Sequence, residues 1–137
     1  LGILGNIVYP EEFNHDSILA HLKQEDELKI LLEDSGLKTA FLKRYRQRLK
    51  FLSTHLDTFF HKSEWYESLK NVNNMYSMKI KGLDKNIRIL FCLWKIENRQ
   101  KIILLTTFEE KKSSDYSKYI VIAQQRIEEL VNMEELQ

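Results

Sequence analysis

One cysteine, one proline and four glycines in 137 residues already exclude several kinds of protein. A lone Cys92 cannot close an internal disulfide, so the fold must rest on its own core, and a free thiol fits a reducing cytoplasm. It sits in the apolar run 89–94, where a buried, inert thiol is the ordinary occupant. Pro10 is the only proline, and no repeat, low-complexity tract or Gly/Pro-rich linker divides the chain. We therefore read residues 1–137 as one domain, long enough to bury a core of its own. No apolar run is long enough to span a bilayer, and residues 1–8 lack the basic start and small-residue cleavage site of a signal peptide. No membrane partner is expected. Metal and nucleophile signatures are missing too: there is no Cys pair, no Gly-rich phosphate loop and no G-x-S-x-G elbow. The four histidines (His15, His21, His55 and His61) fall outside the expected sheet at no zinc-site spacing, although His55 and His61 could flank a site. Neither a metal nor a small-molecule cofactor is expected.

What the chain does have is segregated charge. Its net charge of +1 conceals an acidic segment 1–34 at −6, a basic segment 35–74 at +5, a basic segment 75–126 at +6 and an acidic end 127–137 at −4. A basic middle between acidic ends suggests a surface that meets a polyanion, with solvated helix faces as the plain alternative.

Hydrophobic periodicity orders the elements. Residues 7–9 read as a short strand ending at Pro10. Asp16 or Ser17 can cap a helix running to about Asp34, with Ser35-Gly36 as its stop and a kink or break allowed by the polar stretch 23–27. Phe41, Tyr45, Leu49, Leu52 and Leu56 form one apolar stripe, which predicts a helix over 37–57 with Lys43, Arg46 and Lys50 on its far side. Residues 58–74 read as a connection with at most one helical turn near 65–69. The period then changes to two. Tyr76, Met78 and Ile80 alternate with Ser77, Lys79 and Lys81, which predicts a strand whose lysines face away from the core. Residues 82–86 supply turn chemistry, and 87–95 and 101–108 are two further strands, apolar on both faces and so covered on both, joined by a polar loop at 97–100. Ser113, Ser114 or Asp115 can cap a last helix with Tyr116, Ile120, Ala123, Ile127 and Leu130 facing inward. The expected fold is α+β: N-terminal helices, a three- to four-stranded antiparallel sheet, then a C-terminal helix.

Chemistry, on this reading, belongs to the basic set on and beside the sheet. Lys79 and Lys81 are two apart on a strand, about 7 Å along the chain. Arg88 is the one charge in an otherwise apolar strand, a position that is costly unless the guanidinium meets solvent or an anion. Lys111 and Lys112 follow the last strand, and Tyr116 and Tyr119 open the last helix, where their rings could stack on bases. Arg46 and Lys50 are candidate RNA contacts on the helix back.

The stretch M-Y-S-M-K-I-K-G followed by N-I-R-I-L-F, the strand end T-T-F-E-E-K-K and the terminal Y-I-V-I-A-Q-Q-R-I-E-E-L resemble the RelE/HigB superfamily of type II toxins, in its phage-derived branch. W-Y-E-S-L-K-N-V is similar to the segment that leads into the sheet of those toxins, and the resemblance spans residues 37–131. It implies an RelE-like core at 37–131 behind an acidic extension 1–36, expected as an extra packed helix. It also implies a toxin that cleaves mRNA on the ribosome by promoting attack of a ribose 2′-hydroxyl on the adjacent phosphate, and that a cognate antitoxin neutralises. Carried over, Lys79 or Lys81 would be base or electrostatic partner, Arg88 the clamp on the phosphorane, and Lys112 or Tyr119 the group on the leaving-oxygen side. Glu109-Glu110 departs from the pattern, since carboxylates beside a phosphate site oppose RNA. Two other readings stay open: a ParE-like toxin that acts on a protein such as gyrase, and a member that binds RNA or a partner without cleaving.

Overall fold

The computed structural model describes residues 5–136, with side chains to residue 132; residues 1–4 of the apolar stretch 1–8 lie outside it. The chain folds as α+β around one six-stranded mixed sheet in the order β1-β2-β6-β5-β4-β3, with three α-helices. The strands are β1 (Ile7–Val8), β2 (Ile18–His21), β3 (Tyr66–Ser68), β4 (Tyr76–Ile80), β5 (Ile87–Ile96) and β6 (Arg99–Glu109). The helices are α1 (Leu22–Leu32), α2 (Lys38–Thr54) and α3 (Asp115–Leu136). Among the described residues no helix is long and apolar enough to cross a membrane.

The antiparallel meander β4-β5-β6 lies where the alternating pattern puts it, with Lys79 opposite Arg88 and Arg88 opposite Phe108. The polar loop at 97–100 is tighter than expected. Glu97 and Asn98 both take left-handed φ (53° and 66°), making a two-residue turn that lets Arg99 and Gln100 join β6. Both sheet faces are covered. Met78, Ile80, Ile87, Ile89, Phe91, Ile102 and Leu104 pack under α2 through Phe41, Tyr45, Leu49 and Leu52. Leu90, Cys92, Ile103, Leu105 and Phe108 pack under α3 through Ala123 and Leu130. Burial raises the Cys92 thiol to about 12, which leaves it protonated and inert.

The N-terminal region corrects the sequence reading twice. Residues 18–21, expected inside a helix, form β2, which runs parallel to β6 with Ile18 opposite Ile102 and Ala20 opposite Leu104. All four residues are buried, Ile18 and Ala20 on the α2 side and Leu19 on the α3 side. A strand buried on both faces shows a continuous apolar run with no period of two, so it reads equally well as the start of a helix. The sheet is consequently mixed and six-stranded rather than antiparallel with three or four strands. Neither expected cap is used. The Asp16 carboxylate lies 2.9 Å from the Lys101 ammonium, and the Ser17 hydroxyl lies 2.8 Å from His15 Nδ1. Instead His21, which ends β2 and so lies in the sheet after all, caps α1 by accepting the Lys23 N–H at Nδ1. Its Nε2 is 2.8 Å from Glu129 on α3.

The polar stretch 23–27 is not a break. Lys23 and Asp26 face solvent, while Gln24 and Glu27 turn inward where α1 runs along the edge of β6. Gln24 donates to the Thr107 hydroxyl, and Glu27 Oε1 accepts from the Thr106 hydroxyl and the Thr107 N–H. Arg126 of α3 closes the network, giving two hydrogen bonds of 2.9 Å to the Glu27 carboxylate and one of 2.7 Å to the Leu105 carbonyl. The connection 58–74 holds a 3-10 turn at Phe59–His61 and the edge strand β3, where at most a helical turn was expected.

Replacing Arg126 by Met should lower unfolding free energy by roughly 2–3 kcal/mol in urea titrations, because a largely buried Glu27 loses its counterion. The hydrogen bond from His21, with a weaker one from Asn6, holds the Glu129 carboxyl below the usual glutamate range. That contribution is present above the unfolded value of about 4.3 and is lost as pH falls through the lower folded value. Glu129→Gln should therefore lower the neutral plateau of stability and leave the strongly acidic end, where the carboxyl is protonated in any case, nearly unchanged, so that the acid limb flattens.

Candidate functional site

The register of β4 and β5 sets Lys79 and Arg88 side by side on the face toward α3. That face is not the open surface the alternation suggested. Ser77 is fully buried, and its hydroxyl lies 2.9 Å from the hydroxyl of Tyr116 in the first turn of α3. The Lys79 side chain is 17% exposed and that of Arg88 only 9%.

Each of these cations already has a carboxylate. Arg88 Nε donates to Glu110 Oε1 at 3.0 Å, and a terminal guanidinium nitrogen donates to the Ile87 carbonyl. Lys79 Nζ is 3.9 Å from Glu67 Oε1 on β3. Burying an arginine in an apolar strand requires such a partner, since an unpaired buried guanidinium would be prohibitively costly. The loop bearing Glu110 is anchored on both sides. Its own N–H donates to the Asn86 carbonyl, and the N–H groups of Lys111 and Lys112 both donate to Asp115 Oδ2. Those two donors hold the Asp115 carboxyl below its usual range. The ammonium-bearing side chains of Lys111 and Lys112 stay exposed.

Of the two tyrosines, the structure gives the polar role to the other one. Tyr119, expected on the leaving-oxygen side, stacks flat on Phe108 with centroids 4.3 Å apart and planes 3° from parallel. Its hydroxyl makes no hydrogen bond among the described residues. Tyr116 instead brings its hydroxyl to Ser77, within the electrostatic reach of Arg88, Glu110 and Glu67. Burial raises the Tyr116 phenol above its ordinary value, opposed by the Ser77 hydrogen bond and the Arg88 charge, so it stays a proton-bearing donor at neutral pH.

The remaining expected residues are scattered. Lys81 lies just beyond the end of β4, exposed, with its carbonyl accepting from Arg44. Arg46 and Lys50 are on α2, which covers the opposite face of the sheet, so they do not join Lys79 and Arg88. Arg46 is paired with Glu12 at 2.6 Å, and both Arg46 and Lys50 line a separate basic cleft with Phe13, Lys43 and Arg44. The Glu109-Glu110 pair is split: Glu109 lines a cleft of about 370 Å³ between α1 and α3, whereas Glu110 meets Arg88. His55 stacks on Phe51 at the end of α2, and His61 closes the 3-10 turn, so neither has a partner in this group. Sequence reasoning missed Ser77 as a buried polar anchor and Glu67 as a counterion. Glu67 gave no signal, since it lay in what read as a connection.

Among the described residues no group of three or more His, Cys, Asp or Glu could hold a metal. What the cluster offers is anion chemistry: two neighbouring cations and two hydroxyls, with the exposed Lys111 and Lys112 following Glu110 on the adjoining loop. Comparison with protein-family models, with curated proteins and with solved structures gives no match.

Tyr116→Phe should cost about 1 kcal/mol in thermal or urea unfolding, because the Ser77 hydroxyl is left buried without its partner. Tyr119→Phe keeps the stacked ring and should leave stability within experimental error.

Proposed function

We propose that the chain is a toxin of the RelE/HigB type, with residues 37–131 as its RelE-like core, that engages mRNA in the cytoplasm on the ribosome and is neutralised by a cognate antitoxin. The observation that carries this reading is the cross-strand pair Lys79–Arg88 on the face of a meander sheet, edged by Tyr116, with exposed lysines just past β4 at Lys81 and on the loop after β6 at Lys112. The order of two helices, three-stranded meander and final helix also suits it.

In this reading the reaction is attack of a ribose 2′-hydroxyl on the adjacent phosphate. The negative charge that grows on the phosphorane is met by Arg88, whose planar fork suits two phosphate oxygens, and by Lys79 beside it. Tyr116 takes the hydroxyl role that the resemblance gave to Tyr119, because its phenol and not that of Tyr119 faces the cations. Lys81, in its neutral form, takes the 2′-hydroxyl proton as the new O–P bond forms, and Tyr116 or Lys112 gives a proton to the 5′-oxygen as its bond to phosphorus breaks.

A second reading, a member that binds RNA or a partner without cutting, is favoured by the Glu110–Arg88 contact, which neutralises the expected clamp. Induced expression separates the two. If the chain is an endonuclease, primer extension on cellular mRNA shows new 5′ ends, and the Lys79→Ala/Arg88→Ala double variant, folded by circular dichroism, relieves growth inhibition. Full toxicity in that folded variant would sink the assignment, and toxicity with intact transcripts and damaged DNA would point to a gyrase-directed, ParE-like action.

A further inference from the structure

The carboxylate on Arg88 stands where a ligand's anion would have to sit. A guanidinium offers two forked edges to a phosphate, one through Nε and one through its terminal nitrogens. Here Glu110 takes Nε at 3.0 Å and the Ile87 carbonyl takes a terminal nitrogen at 3.3 Å. These contacts occupy the Nε edge and one N–H of the terminal edge, and with the Arg88 side chain 9% exposed a phosphate reaches the Nε edge only when Glu110 leaves. The Ile87 carbonyl belongs to the sheet backbone and cannot leave. Glu110 can: its side chain is 24% exposed, while its backbone is held by the Asn86 carbonyl and the next two residues by Asp115. Movement is thus confined to side-chain rotation on a fixed loop.

We infer that Glu110 is an internal stand-in for phosphate, a side-chain gate that admits an extended phosphodiester chain to Arg88 and turns isolated phosphate away. The inference rests on the anion-binding reading of the Lys79–Arg88 site. Its selectivity follows from what each ligand gains. A single phosphate replacing Glu110 exchanges one anion on Arg88 for another and must also leave its own hydration shell, so its net gain is small. A polynucleotide brings further phosphates to Lys79, Lys81, Lys111 and Lys112, and those contacts offset the displacement. Glu67, 3.9 Å from Lys79 and more than half exposed, is the looser counterpart of Glu110 and gives way first.

The test is fluorescence anisotropy with a labelled 2′-O-methyl RNA of about ten nucleotides, which binds but offers no nucleophile for cleavage. Glu110→Gln should tighten binding about fivefold to tenfold, the range of a partly buried ion pair. Glu109→Gln makes the same change in net charge one residue away, on the α1–α3 cleft, and should change affinity less than twofold. Inorganic phosphate should compete for the site in Glu110→Gln at concentrations that have no effect on the parent chain. Equal tightening by Glu109→Gln and Glu110→Gln would overturn the gate and leave only overall charge. If Arg88→Ala weakens binding while Glu110→Gln does not tighten it, the gate fails and the site stands. If Arg88→Ala, folded by circular dichroism, leaves RNA affinity unchanged or no variant binds RNA, the site itself fails and the gate with it.

Discussion

The carboxylate of Glu27 does for this sheet what a seventh strand would otherwise have to do. Strand β2 is only four residues long, so β6 runs on past it, and the backbone beyond Leu104 would present unpaired groups beneath two helices. Glu27 accepts the Thr107 N–H and the Thr106 hydroxyl, which satisfies that edge from a helix rather than from another strand. A carboxylate buried in this way needs a cation, and Arg126 provides one from the other side of the sheet while also binding the Leu105 carbonyl. Glu27 of α1, Arg126 of α3 and three consecutive residues of β6, Leu105 to Thr107, are therefore fixed by a single charged network, and the position of α3 over the sheet depends on it. Since α3 carries Tyr116, the shape of the candidate site is set from the middle of the same helix, at Arg126.

The site itself shows how a core can hold cations. Lys79 and Arg88 occupy a face that α3 covers, and each is accompanied by a carboxylate from a flanking element, β3 or the loop after β6. The arrangement is neutral at rest. Lys81, Lys111 and Lys112 are by contrast exposed, so the net positive charge of this part of the chain is carried at the surface while the buried cations are compensated.

The parts of this structure that could be read from the chain are those governed by local period. The alternation of Tyr76, Met78 and Ile80 places β4, the stripe Phe41-Tyr45-Leu49-Leu52 places α2, and the run from Tyr116 to Leu130 places α3. What was not legible depends on contacts between distant residues. Strand β2 gains its identity from Ile102 and Leu104, far along the chain, and by itself has no alternation to distinguish it from the helix that follows. Strand β3 is three residues on an edge, with Glu67 and Ser68 outward, too short and too polar to register. The polar inner face of α1 was read as a gap because Gln24 and Glu27 pack against backbone and hydroxyls instead of apolar side chains. In the site, the pairing of Lys79 with Arg88 follows from strands that were legible. That Tyr116 and not Tyr119 brings its hydroxyl to Ser77 was not, since it turns on how α3 is rotated about its axis, and the two are only three residues apart.

The pairing of Ile18 with Ile102 also has a consequence in time. During synthesis β2 leaves the ribosome long before its long neighbour β6 exists, so four residues destined for burial must wait in water. Closing that separation carries the entropy of a long loop, which makes docking of β2 a late step. The segment 1–34 around it has a net charge of −6, and like-charged nascent chains repel one another.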